Sequence, residues 1–101
     1  MNSKKTNVSK LISDYSKSLT ERGFQKGSFR TLKPFQSTCL EHTDRIILGM
    51  VVTGDLEIQT ALGTHKFQLE EEFLLPANLY FQVSAGLKGA TIFFGKQKYK
   101  R

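Results

Sequence analysis

GMVVTGDLEIQTALGTHKFQLEEEFLLP, residues 49 to 76, is the stretch from which the fold can be read. From Asp55 to Gln59 polar Asp55, Glu57 and Gln59 alternate with Leu56 and Ile58, the period-two pattern of a strand with one buried face. Thr64 to Leu69 repeats the pattern with Phe67 and Leu69. Between them Ala61-Leu62-Gly63-Thr64 supplies a glycine able to take the positive φ that a tight hairpin needs. Phe73-Leu74-Leu75 forms a further apolar run, closed by Pro76, which cannot donate to a sheet ladder.

Outward from this hairpin, Arg45 to Val52 is almost continuously apolar, as expected of a strand covered on both faces. Ser28 to Leu32 and Ser37 to Thr43 read as short strands on either side of Pro34. After a turn at Ala77-Asn78, Leu79 to Val83 and Ala90 to Phe94 read as the last two strands, joined by a connection over 84–89. Ahead of the strands, Val8, Leu11, Ile12, Tyr15 and Leu19 share one helical face. Asn7 or Ser9 can cap its start, and Gly23 suits the left-handed residue after its end, folding Phe24 back towards Leu19. The fold class is all-β with one N-terminal helix. The expected divisions are 1–23 for the helix and a basic arm, 24–95 for a barrel and 96–101 for a basic tail.

The turn residues and their spacing resemble those of the cupin superfamily, small jelly-roll barrels. The family's V-x-x-G-[DE]-[LV] reads here as Val51-Val52-Thr53-Gly54-Asp55-Leu56, and its I-P-A as Leu75-Pro76-Ala77. The resemblance implies a double-stranded β-helix over about residues 24 to 95, with metal ligands gathered inside it. Aligned on Gly54 and Pro76, those ligand positions hold Leu40, His42, Ile47 and Phe81. His42 alone keeps a ligand's chemistry, so the resemblance supports the fold and not the metal. Leu40, His42, Ile47 and Phe81 are therefore expected to line a pocket facing the barrel interior. Gly49 would leave room for a ligand there, and Val51 would stand beside it as an apolar wall.

Composition bounds the rest. The chain has 101 residues, 39% of them hydrophobic, with eight Phe, no Trp and a single cysteine, Cys39, so no internal disulfide can form. Neither a signal-type apolar segment near the start nor an 18-residue apolar run occurs, which predicts a cytoplasmic protein with no membrane partner. The net charge of +6 is uneven. Residues 1 to 33 and 96 to 101 hold twelve Lys/Arg against Asp14 and Glu21, whereas the middle is acidic by four. Basic ends of this kind are expected to act as solvated tails, with nucleic-acid binding the weaker alternative.

Little else points to chemistry. One imidazole cannot hold a catalytic divalent ion, which takes about three protein ligands, so no metal and no cofactor is expected. A trio of His42, Asp44 and an unidentified third ligand is the alternative. Glu41 should face away from His42, because neighbours on a strand point to opposite sides. Glu70-Glu71-Glu72 reads as a solvated turn, Cys39 lacks a partner histidine on its own strand face, and phosphate-binding glycine signatures are absent. Tyr80 and Phe81, being consecutive, cannot both join a base-stacking platform.

The favoured function is a non-catalytic binding or sensing module that holds a small molecule in the barrel. The alternative is a metal-dependent isomerase or dioxygenase with rearranged ligands. A homodimer is also expected, since the apolar strand 46 to 52 requires a covered outer face.

Overall fold

Two long, bent strands carry the architecture, and their bends answer a question the periodicity raises. In β3 (Ile47–Thr60) the inward residues are Ile47, Gly49 and Val51 before the bend and Leu56 and Ile58 after it, so the inward parity changes midway. In β6 (Leu79–Lys96) the same change separates Phe81, Val83 and Ala85 from Ala90, Ile92 and Phe94. The pairing of the two strands shows why. Val52 is an extra residue between the pairs Val51↔Ile92 and Thr53↔Thr91, and Gly86 to Gly89 stand opposite Asp55 alone. These are β-bulges, which shift the alternation without ending the strand and sharpen its bend. The breaks read in the sequence as ends of strands, at 53–54 and over 84–89, are therefore corners within continuous strands. Glycine is required at the corner: Gly54 has φ +73, and a Cβ there would lie 1.9 Å from the carbonyl oxygen of Gly89.

The computed structural model describes residues 8–98. Its order is α1 (Val8–Glu21), β1 (Ser28–Leu32), β2 (Glu41–Thr43), β3, β4 (Gly63–Phe67), β5 (Glu72–Leu75) and β6, and all the strand pairs are antiparallel. Because β3 and β6 are bent, each contributes to two four-stranded layers. One runs β1, late β6, early β3, β5; the other runs β2, early β6, late β3, β4. The inner faces of the layers meet in a core that includes Leu32, Val51, Leu56, Phe81 and Ile92. This is the expected all-β jelly-roll with one helix.

The hairpin forms as read, with Thr60 opposite Gly63 and Ala61-Leu62 as its two-residue loop. Its second strand ends at Phe67, and Leu69 lies exposed beyond it. Asn78 takes φ +62 in the turn after Pro76, and its N–H donates to the Thr43 carbonyl at 2.7 Å. Ser37 to Thr43 is not one strand. Only Glu41–Thr43 is paired as such, with a single bridge from Ser37 to Ser84.

The amphipathic helix docks on the outside of the first layer. Leu11, Ile12, Tyr15 and Leu19 pack against Leu48, Met50, Val52 and Phe93. Its end is the expected Schellman arrangement: Gly23 has φ +89, Phe24 N–H donates to the Leu19 carbonyl at 2.9 Å, and Gly23 N–H to that of Thr20 at 3.2 Å. Of the two residues offered as caps, Ser9 is already helical and Asn7 lies outside the described residues. A polar clamp completes the docking, with the Tyr15 hydroxyl and Arg22 Nη2 donating to Glu72 Oε2 at 2.7 and 2.8 Å. Burial pushes the Tyr15 hydroxyl pKa up, and the Glu72 carboxylate pushes it further. Desolvation acts upward on Glu72 too, but the hydrogen bonds from Tyr15 and Arg22 outweigh it and hold its carboxyl below the usual range.

Early β3 is thus covered on both faces, one by the core and one by α1 of the same chain. The apolar outer face that motivated the expected homodimer has its explanation within a single chain. The expected tail division at 96 also shifts. Lys96 belongs to β6, Gln97 N–H donates to the Ile46 carbonyl at 2.8 Å, and Lys98 N–H to that of Gly23 at 3.0 Å. The basic arm over 1–7 and the rest of the tail, 99–101, lie outside the described residues. Among the described residues, no helix is long and apolar enough to cross a membrane.

Candidate binding cavity

Between the two layers lies a cavity of about 620 Å³, within the range of small-molecule sites. Its walls come from alternating strand positions: Ile47, Leu56 and Ile58 of β3, Phe73 and Leu75 of β5, and Phe81, Val83, Ile92 and Phe94 of β6. Its rim is polar and includes Lys26, Ser28, Arg30, Glu41, Thr43, Arg45 and Lys96.

The rim is organised by one ion pair. Arg30 stands opposite Ile92 and Glu41 opposite Phe81, and because both of those partners are core residues, both charged side chains face inward. Arg30 Nη1 and Nη2 donate to Glu41 Oε1 and Oε2 at 3.0 and 2.5 Å, a two-bond fork joining a strand of one layer to a strand of the other. The hydrogen bonds from Arg30 hold the Glu41 carboxyl below its ordinary value against a smaller opposing effect of burial, and the charge of Lys96 acts in the same direction. The reciprocal bonds raise Arg30.

This pair gives acid a defined handle on stability. A carboxyl whose folded pKa lies below its ordinary 4.5 contributes stability that is fully present above that value and is lost as pH falls through the lower, folded value. Glu41→Gln is therefore expected to flatten the fall in thermal stability between about pH 5 and about pH 3. Glu72, shifted the same way, keeps part of the slope. Equal falls in parent and variant, measured by thermal denaturation at the two pH values, would show that the fork is not formed.

Of the six residues expected to line the pocket, His42, Ile47 and Phe81 border the cavity, and Val51 is buried in the core without bordering it. The placements of Leu40 and Gly49, and the direction in which His42 faces, require correction. Leu40 is 66% exposed and precedes β2, outside the interior. His42 borders the cavity at its mouth and not in its interior: the residue is exposed, its side of β2 faces outward, and its ring lies 4.6 Å from that of exposed Tyr80, its cross-strand partner. Glu41, expected to point away, is the residue that points in. A one-residue error of register turns every side chain of a strand to the other face, and aligning a three-residue strand on distant Gly54 makes that error. Gly49 faces inward but offers no ligand space, because a Cβ there would lie 2.4 Å from the Phe73 ring, which fills the room.

The sequence reading missed Arg30, Lys96 and the deeper walls. For Arg30 a signal existed: it shares strand parity with Leu32, a polar residue on an apolar face.

The interior donors do not fit a divalent metal. Among the described residues, Glu41 is the only carboxylate lining the cavity, it is engaged by Arg30, and Lys96 adds a further positive charge. Among the described residues, no three His, Cys, Asp or Glu side chains converge, so the alternative trio built on His42 and Asp44 is not assembled. Cys39 is exposed. Nor does the acidic run converge: Glu71 Oε1 accepts from Gln68 N–H at 2.7 Å within its turn, while Glu72 faces the helix.

Neither a protein-family model nor a curated relative matches the chain. Solved structures do. It superposes on a structural-genomics protein of unknown function from Rhizobium leguminosarum with a TM-score of 0.67 at 18% identity, over 72% of this chain and 69% of that one. On the Cnp3 cupin domain of Schizosaccharomyces pombe the TM-score is 0.68 at 12% identity, over 78% of this chain and 58% of that one. A cupin-2 domain protein from Shewanella frigidimarina gives 0.62 at 14%, over 75% and 72%. These identities bear on architecture alone, and with the bent strands and facing layers already described they identify the chain as a small domain of the cupin fold, all-β but for one helix.

Proposed function

We propose that this domain is a metal-independent small-molecule-binding module whose ligand lies inside the barrel. The observation that carries this reading is the pairing of an apolar-walled cavity with an Arg30–Glu41 fork at its mouth. A chain that had merely lost a metal site would be expected to pack its interior with the replacing side chains. Here the interior stays open. The ligand's apolar body gains from leaving water against Ile58, Val83 and Ile92, and the rim supplies the few polar groups that fix its orientation. The Arg30–Glu41 pair is a binding and orienting group, since Glu41 is held ionised and Arg30 cannot act as a base.

Metal analysis of protein purified without chelator tests the metal-independent part. The expected result is iron, zinc and manganese each well below one equivalent. A stoichiometric metal that is lost in His42→Ala would instead favour an enzyme with rearranged ligands.

A further inference from the structure

We propose that the cavity selects an amphipathic carboxylate, its apolar body inside the barrel and its carboxylate at the mouth between Arg30 and Lys96. This rests on the reading that the interior is the ligand site, and adds the charge of the ligand's head.

The charge balance of the rim supports it. Lys26, Arg30, Arg45 and Lys96 all line the cavity, and among the described residues Glu41 is the one carboxylate that does. With Arg30 matched by Glu41 and Arg45 lying 3.9 Å from Asp44, the positive surplus of the mouth is that of Lys26 and Lys96. Lys96 is held there by the fold: it stands opposite inward-facing Ile47 on β3, two residues beyond Phe94, which borders the cavity. Its charge reaches Glu41 through space. Positive charge clustered over an apolar cleft attracts an anion and repels a cation, and a neutral ligand would gain nothing from it.

The fork supports a carboxylate in particular. Glu41 already meets Arg30 through two parallel bonds, so the site demonstrates the planar geometry that a carboxylate needs. Glu41 takes two of the guanidinium's five donors, leaving others, together with the Lys96 ammonium, for a second carboxylate.

The test is calorimetric titration of the full chain at physiological salt with three probes of equal chain length: decanoate, 1-decanol and decylammonium. Decanoate is expected to bind at least about tenfold more tightly than 1-decanol, and decylammonium more weakly than either. Lys96→Gln is the informative variant, because it leaves the Arg30–Glu41 pair in place. It should remove most of decanoate's advantage while 1-decanol binds as before, and a thermal-unfolding scan checks that it folds. Equal binding of decanoate and 1-decanol would overturn the anion site and leave the cavity reading standing. A decanoate advantage that survives Lys96→Gln would overturn the placement of the head group. If none of the three binds, the cavity reading falls as well.

Discussion

Phe81→Ala is expected to lower the unfolding free energy of this chain by about 3 to 5 kcal/mol in urea denaturation. The ring is 4% exposed and belongs to the main core cluster. It is held from both sides of its strand, opposite Glu41 on β2 and Thr60 on β3, so it closes one wall of the cavity just beneath the ion pair. Truncation removes the transfer free energy of the ring and also enlarges a void of about 620 Å³ that the surrounding sheet cannot collapse to fill. Water entering from the mouth would relieve part of the void and move the loss towards the lower end of the range. Phe81→His adds an imidazole to a wall whose one nearby carboxylate is already bound to Arg30, so it should not create affinity for zinc. A Phe81→Ala protein as stable as its parent would place this residue outside the core and undo the alignment on Pro76.

The features legible in the sequence were those fixed by local chemistry. Gly63 and the alternation around it specify the hairpin; Gly23 and Phe24 specify how the helix ends; Asn78 marks the turn after Pro76. Each depends on residues within a few positions of one another. The readings that failed depended on what lies across the sheet. Nothing local separates a bulge at Gly54 or Gly89 from a strand end, because both interrupt the alternation, and only the partner strand shows that the ladder continues. The apolar outer face of early β3 is legible as needing cover, but whether a helix or a second copy covers it is a tertiary fact. The inward side of β2 was misread because three residues carry too little pattern to fix their own parity. Glu41 is also a residue one expects in water until Arg30, eleven positions away on another strand, provides its partner. Gly49 shows the same limit: an inward glycine reads as space until Phe73 is seen to occupy it.

The misreading of β2 changes the chemistry of the site. With His42 inward, the barrel would hold the start of a metal centre. With Glu41 inward and matched by Arg30, it holds an ion pair that closes one side of an apolar cavity without filling it. The two layers are then tied together at the mouth by charge and in the middle by packing.

The most direct test of a ligand-binding interior is a fluorescence titration of the metal-free full chain with N-phenyl-1-naphthylamine, an uncharged probe that brightens in apolar surroundings, compared with Val83→Trp. Val83 is 3% exposed and borders the cavity, so an indole there occupies the space the probe needs while the open volume limits the overpacking penalty to about 1 to 3 kcal/mol. The expected result is saturable brightening at one probe per chain in the parent, weakened by more than about tenfold in Val83→Trp, with the variant still unfolding cooperatively. No brightening in the parent, or equal brightening in a folded Val83→Trp, would contradict a ligand site inside the barrel.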